Sequence, residues 1–329
     1  MNSLPQTPSL LFLDTWRWWP PHSRGMQRCR VENGGRLLQR DALRGKGGGM
    51  RVVRTLDDLR RERAALRARG RLALVPTMGA LHEGHLALIA EGRRRAPAVA
   101  ASIFVNPLQF AANEDLARYP RDEAGDLAKL REAGCDLAWL PDVAAMYPPG
   151  NATAIEVAGP SEHWEGAHRP GHFRGVATVC CKLFCQIQAD LAVFGEKDWQ
   201  QLQVVRRMAR DLDLPIEIVP HPTVREADGL ALSSRNRYLA AAERARAPLL
   251  FAEMSRAAAA LLPGRATAPP LAAARAALAQ AGFGVDYLAL VEAESLAALE
   301  TVPDAPARLI AAARLGPVRL LDNLAVGTP

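Results

Sequence analysis

From residue 56 onward the apolar positions change period in a regular order. Leu56 to Arg69 places them at helical spacing and predicts an amphipathic helix. Arg71-Leu-Ala-Leu-Val-Pro-Thr77 is a short apolar run closing at Pro76, which predicts a buried strand. A glycine-containing turn follows, and the next helix begins near Gly84. The alternation continues with strand Ala98–Val105, helix Asp122–Ala133 and strand Asp136–Leu140. It ends with helix Val176–Gln188, strand Leu191–Phe194, helix Trp199–Leu212 and strand Ile216–Val219. Apolar strands alternating with helices predict an α/β fold, a parallel sheet covered on both faces.

After Pro222 the texture changes. Ala/Arg-rich helices over about Ala240–Leu262 and Leu271–Ala281 flank a Pro/Gly-punctuated loop, 263–270. Strand-like Val285–Leu290, Arg308–Ala313 and Val318–Leu321 follow, predicting a second, smaller α/β domain. The expected division is a leader (1–49), a main domain (50–222) and a C-terminal domain (223–329).

The leader differs from the rest. It holds three of the six tryptophans and a net +5 of the chain's +6. No helical or strand period is sustained in it. Its basic residues follow the apolar Leu10–Leu13, the reverse of a signal peptide, and Pro5, Pro8 and Pro20 would break a transit helix. Met50 is the expected biological start, with Gly45-Lys-Gly-Gly-Gly49 a ribosome-binding site read through as protein; N-terminal sequencing of native protein checks this. With the charge confined there, the pI of 9.4 gives little ground for a nucleic-acid partner. The apolar runs are too short to span a bilayer, so no membrane partner is expected. Five cysteines with no C-x-x-C pair argue against a disulfide framework and for a reducing, cytoplasmic setting.

Four segments carry candidate chemistry. The first is Met78-Gly79-Ala80-Leu81-His82-Glu83-Gly84-His85, between a predicted strand and helix. A helix start offers unpaired N–H groups and partial positive charge to phosphate. His82 and His85, three apart, share one side of the first turn and can stabilise charge on departing pyrophosphate. A helix start with one surface histidine, or a metal pair, are the plainer readings. The H-x-G-H pattern in this setting matches the nucleotidylyltransferase superfamily. The second segment places Asn106 and Gln109 after a strand, where amides bind a hydroxyl or carboxylate; an ordinary Asn-Pro turn explains it equally well. The third is Gly195-Glu196-Lys197-Asp198, where Lys197 suits phosphate and Asp198 either caps the helix or holds Mg²⁺ indirectly. The fourth, Thr223–Asn236, gathers Ser233, Ser234 and Arg235 as donors able to close over phosphates, or forms a plain capped loop.

With these segments in this order, and with Arg169-Pro-Gly-His-Phe173, the chain from about Met50 resembles the pantothenate synthetase family. The resemblance implies a Rossmann-like, doubly wound N-terminal domain, a smaller C-terminal lid and a cytoplasmic homodimer. It implies that ATP and pantoate form pantoyl adenylate with Mg²⁺, and that β-alanine then displaces AMP. It places ATP contacts on Met78–His85, Gly195–Asp198, Val224 and Leu232–Arg235. It places pantoate on Gln109 and Gln201, β-alanine beside Gln109, and the proton donor on His85. Asn106 joins the pantoate and β-alanine group, and His82, His85 and Lys197 are the expected catalytic residues. Trp199 and Ala111-Ala112 depart from the family's usual residues. The rivals are another H-x-G-H nucleotidylyltransferase that leaves AMP on its product, a class I aminoacyl-tRNA synthetase, and a nucleic-acid binder using the leader. Ser233-Ser-Arg-Asn236 stands where the synthetase would need a Lys-Met-Ser-Lys-Ser-like loop.

Overall fold

A computed structural model describes residues 49–110, 116 and 119–327. The leader's expected properties and the Ala111-Ala112 departure lie outside the described residues. Residues 47–329 form one compact unit.

The first half is β1 (Arg51–Val53), α1 (Leu56–Arg67), β2 (Leu72–Thr77), α2 (Glu83–Arg95), β3 (Ala98–Ile103), α3 (Glu123–Glu132) and β4 (Leu137–Trp139). Then come α4 (Val143–Met146), α5 (Glu165–His168), α6 (His172–Ile187), β5 (Leu191–Gly195), α7 (Trp199–Asp211) and β6 (Glu217–His221). The six strands form one parallel sheet in the order β1-β4-β3-β2-β5-β6. Strand alternation divides the core in two. Leu72 and Leu74 pack in the cluster with Leu59, Phe184 and Leu202. Their neighbours Ala73 and Val75 pack with Leu88, Ile89 and Leu130. The helices therefore cover both faces, as the unbroken apolar strands predict. The chain runs from β2 outward to β4 and returns to β5 on the other side. The switch point between β2 and β5 is where open α/β sheets bind ligands.

The C-terminal part is α8 (Ala241–Arg246), α9 (Leu249–Ala260), α10 (Ala268–Gln280) and an antiparallel sheet of β7 (Gly284–Glu292), β8 (Ala307–Leu315) and β9 (Val318–Val326). Leu250, Met254, Ala274 and Leu278 from α9 and α10 cover one sheet face. Tyr287, Val291, Ile310 and Ala312 form the other, against Trp164 and Trp199.

Three local expectations change. The helix predicted over Ala240–Leu262 is two, because Pro248 has no N–H and ends the first. The predicted loop 263–270 loses its end to α10, whose first turn accommodates Pro269 and Pro270 where an N–H is not needed. The helix expected from Val176 starts at His172, after left-handed Gly171. Among the described residues no helix is long and apolar enough to cross a membrane.

Candidate active site

The loop after β2 is held from below by α3. Gly79 and Ala80 both take left-handed backbone angles, φ +83° and +52°. For Ala80 this costs roughly 1–2 kcal/mol, so something must fix it. The buried Asp126 carboxylate accepts the Ala80 N–H at 2.8 Å and the Leu81 N–H at 2.7 Å. Lys129 donates to the Leu81 carbonyl at 2.7 Å, and Thr77 Oγ1 accepts the Gly79 N–H at 3.3 Å. A Cβ on Gly79 would lie 2.9 Å from Asp126 Oδ2. These amides are thus committed to the protein itself.

His82 and His85 cap α2 reciprocally. His82 Nδ1 accepts the Gly84 N–H at 3.2 Å, and His85 Nδ1 accepts the His82 N–H at 3.3 Å. Each Nδ1 is an acceptor, so the neutral rings carry their proton on Nε2. The ring centroids are 4.2 Å apart. Gly84 is required here, since a Cβ would sit 2.9 Å from the His82 ring. Burial, reinforced by Lys197, lowers the His82 pKa to about 4. Burial, reinforced by His82, lowers that of His85 to about 3. Both are neutral hydrogen-bond donors near pH 7.

Past β3, Asn106 is buried and fully engaged. Its Oδ1 accepts from Leu108 N and Tyr147 Oη, and its Nδ2 donates to Gln109 Oε1 and the Gly175 carbonyl, both at 3.1 Å. It therefore orients Gln109, whose Nε2 contacts Met78 Sδ at 3.0 Å. The Gln109 carbonyl can only accept, so His172 Nδ1 donates to it at 2.9 Å, and Arg169 reaches His172 Nε2 at 3.1 Å.

Beyond β5, Glu196–Asp198 make one 3₁₀ turn. Lys197 Nζ lies 3.3 Å from Asp198 Oδ1. Burial opposes ionisation of Asp198, but Lys197, Arg235 and His172 outweigh it and hold the carboxyl below its usual value. Glu196 turns to Arg308 instead, at 2.7 Å. After β6, Thr223–Arg235 folds back on itself: Leu232 N–H donates to the Val224 carbonyl at 3.0 Å, and Ser233 Oγ caps Arg235 N.

These segments meet at the carboxyl ends of β2, β3 and β5. A cavity of about 220 Å³ is lined by Met78, His82, Gly84, His85, Asn106, Gln109, Gly195, Lys197, Asp198, Gln201, Val224, Leu232, Ser233, Ser234 and Arg235. Gly79, Ala80, Leu81, Glu83 and Glu196 are outside that lining. A second cavity of about 110 Å³ shares Gln109, Lys197, Asp198, Gln201 and Arg235, and adds Arg169, His172, Tyr287 and Asn323. Sequence reasoning did not single out Asp126, Lys129, Tyr119 or His172 for the site. Tyr119 lines the larger cavity, where burial raises its phenol pKa against a hydrogen bond with Ser234.

A doubly wound sheet with paired neutral histidines and a lysine at its switch point defines a nucleotide-binding α/β protein. Comparison with known proteins narrows this class. The family model described as pantoate-beta-alanine ligase matches residues 51–325. A pantothenate synthetase of Acidiphilium cryptum is 63% identical over 279 residues, 84% of this chain and 100% of the relative. One of Rhizorhabdus wittichii is 60% identical over 84% of this chain and 99% of the relative. The crystal structure of pantothenate synthetase from Thermus thermophilus matches with a TM-score of 0.80 and 51% identity, covering 85% of this chain and 100% of that one. Pantoate-beta-alanine ligase from Francisella tularensis, complexed with beta-gamma ATP and beta-alanine, matches with a TM-score of 0.72 and 29% identity, covering 84% and 97%. The chain belongs to the pantoate-beta-alanine ligase family.

Proposed function

We propose that the chain joins pantoate to β-alanine at the expense of ATP, through pantoyl adenylate, giving pantothenate, AMP and pyrophosphate. The observation that carries this reading is the single cavity that gathers His82, His85, Gln109, Lys197, Gln201 and Ser233–Arg235 from four separate segments. A carboxylate is a poor electrophile, and adenylation gives it a leaving group. No covalent nucleophile is needed, only alignment and stabilisation of charge.

Gln109, oriented by Asn106, and Gln201 hold the pantoate hydroxyls and carboxylate. The carboxylate oxygen attacks the α-phosphorus, and the bond to the bridging oxygen of pyrophosphate breaks. Lys197, Arg235 and the serine hydroxyls take up phosphate charge. His82 and His85 donate hydrogen bonds from neutral Nε2. Phosphate charge nearby favours protonation of both rings, and the family resemblance gives His85 the part of passing a proton to departing pyrophosphate. The unprotonated β-alanine amine then attacks the acyl carbon, the bond from that carbon to the phosphate oxygen breaks, and AMP leaves while the new amide nitrogen gives up a proton to solvent. Of the contacts assigned to Met78–His85, Met78, His82, Gly84 and His85 are the ones the lining supports.

Magnesium fits as an ion carried by ATP. Asp198 is the one carboxylate in the lining of the larger cavity, and no cluster of three metal-ligating side chains occurs among the described residues. Mg²⁺ keeps waters and phosphate oxygens as ligands, so one nearby carboxylate suffices, and its charge would neutralise the phosphates. The enzyme works as a cytoplasmic homodimer. Four described cysteines, all free thiols, support a reducing compartment.

The test is AMP release from pantoate and ATP, with and without β-alanine. Release that rises with β-alanine is expected. Release indifferent to it would leave a nucleotidylyltransferase that keeps AMP on its product.

A further inference from the structure

Lys197 sits on a turn that has little means of holding itself. A single 3₁₀ turn has poor hydrogen-bond geometry, and Gly195 ahead of it has no side chain to cap it. The C-terminal sheet supplies what is missing. Asn323, on β9, donates from Nδ2 to the Glu196 carbonyl at 2.8 Å and to the Lys197 carbonyl at 2.9 Å. Its Oδ1 accepts from Arg308 Nε at 2.7 Å, so the amide is fully engaged. Asn323 and Arg308 are only 4% and 9% exposed, so these bonds form away from water, where losing one is costly.

Arg308, on β8, grips the same turn twice more. It pairs with Glu196 at 2.7 Å and lies 3.7 Å over the Trp199 ring. The neighbouring Asp322 takes both guanidinium nitrogens of Arg225, at 2.6 and 2.8 Å, from the segment that carries Ser233–Arg235. Adjacent residues of one strand therefore set the spacing between the two segments assigned to phosphate.

Resting on the function proposed above, we infer that Asn323 is a positioning residue for Lys197, oriented by Arg308, through which β9 places the ammonium group against the phosphates of ATP. Two bonds end on the backbone of residues 196 and 197, so they fix the direction in which the Lys197 side chain leaves the turn. A misplacement near 1 Å costs about 100-fold in rate, which sets the size of effect to look for.

A double-mutant cycle in the full chain tests this, using Asn323→Ala, Lys197→Ala and the pair. Pantoate-dependent exchange between ATP and pyrophosphate reads the first half-reaction, and equilibrium binding reads ATP affinity. Asn323→Ala should slow exchange about 10- to 100-fold with the KM for β-alanine unchanged. In the Lys197→Ala background the same change should cost less than about threefold, because its effect runs through the missing ammonium. Losses that multiply in both readouts, or a β-alanine KM that rises in step, would overturn the proposal and leave Asn323 a plain packing residue. Where Asn323→Ala does not fold, the cycle is run with Arg308→Gln, which removes the group orienting Asn323. Absence of pantoate-dependent exchange in the unaltered protein sinks the functional reading instead, and the binding cycle then decides the positioning role alone.

Discussion

The six-stranded parallel sheet and the three-stranded antiparallel sheet serve the cleft in different ways. The larger cavity takes its lining from residues 76–235, the strand ends of the parallel sheet and the loops after them. No residue of β7, β8 or β9 lines it. The antiparallel sheet instead holds Arg308, Asp322 and Asn323 almost fully buried and spends their polar groups on the turn and strap that carry the cavity's cations. One region lines this cavity, and the other fixes the backbone those lining side chains leave from, while also contributing Tyr287 and Asn323 to the smaller cavity beside it. Substitutions in the two should therefore fail differently, the first by removing a group that acts on the ligand, the second by misplacing such a group or by lowering stability.

The largest effect belongs to the first region. His85→Ala should slow adenylation about 1000-fold, since a preorganised donor is lost, with circular dichroism unchanged and melting lowered only by the loss of its half of the α2 cap, about 1 kcal/mol. Near-normal turnover would remove His85 from its role. Next comes Arg225→Gln in the strap. It leaves the Asp322 carboxylate, 3% exposed, without its bidentate partner. A loss of about 3 kcal/mol of stability is expected, read as a lowered denaturation midpoint. An unchanged midpoint would show that the strap is not anchored there.

Asp126→Asn blurs the comparison in an instructive way, because Asp126 belongs to the parallel-sheet region yet acts as the C-terminal network does. The amide keeps one acceptor for two N–H groups, so one is left opposite an NH₂. A cost of about 1–3 kcal/mol in stability should come with weaker ATP binding, measured by calorimetry. Affinity that stays at the original value would mean that the Gly79–Leu81 backbone does not set the site.

The smallest effect is on pH dependence. In the unfolded chain each ring takes up a proton below its ordinary value of 6.5, whereas folded His82 resists until about 4 and folded His85 until about 3. The unfolded state binds more protons across that window, so stability falls as pH drops from 6.5 toward 3. In His85→Ala the slope of stability against pH should be shallower by up to about one proton. Denaturant midpoints measured from pH 7 to 4 check this, and identical slopes would place His85 in water.

Much of this is legible in the sequence. The change of period from strand to helix marks β2 through β6 to within a few residues. His82, Gly84 and His85 are readable because a reciprocal cap is made inside one helical turn. Lys197 follows from its place after a strand, and Gln201 from the family resemblance alone. Asp126 was not legible, because an acid in the first turn of a helix reads as a solvated charge favoured by the helix dipole. Asn323 was hidden for a similar reason, since an asparagine in a strand announces no partner 126 and 127 residues away. The N–H groups of Gly79, Ala80 and Leu81 read as phosphate donors until their partners in Thr77 and Asp126 came into view.

By itself the sequence determined the α/β class, the strand-to-helix junctions and the segments whose side chains line the cleft. Those features arise from period and from bonds spanning three or four residues, so any short window contains them. The tertiary structure alone decided that four distant segments line one cavity, that both histidines are neutral with the proton on Nε2, and that β9 holds the turn carrying Lys197. Those depend on burial and on contacts between elements far apart in the chain, which exist only once the sheet order is set.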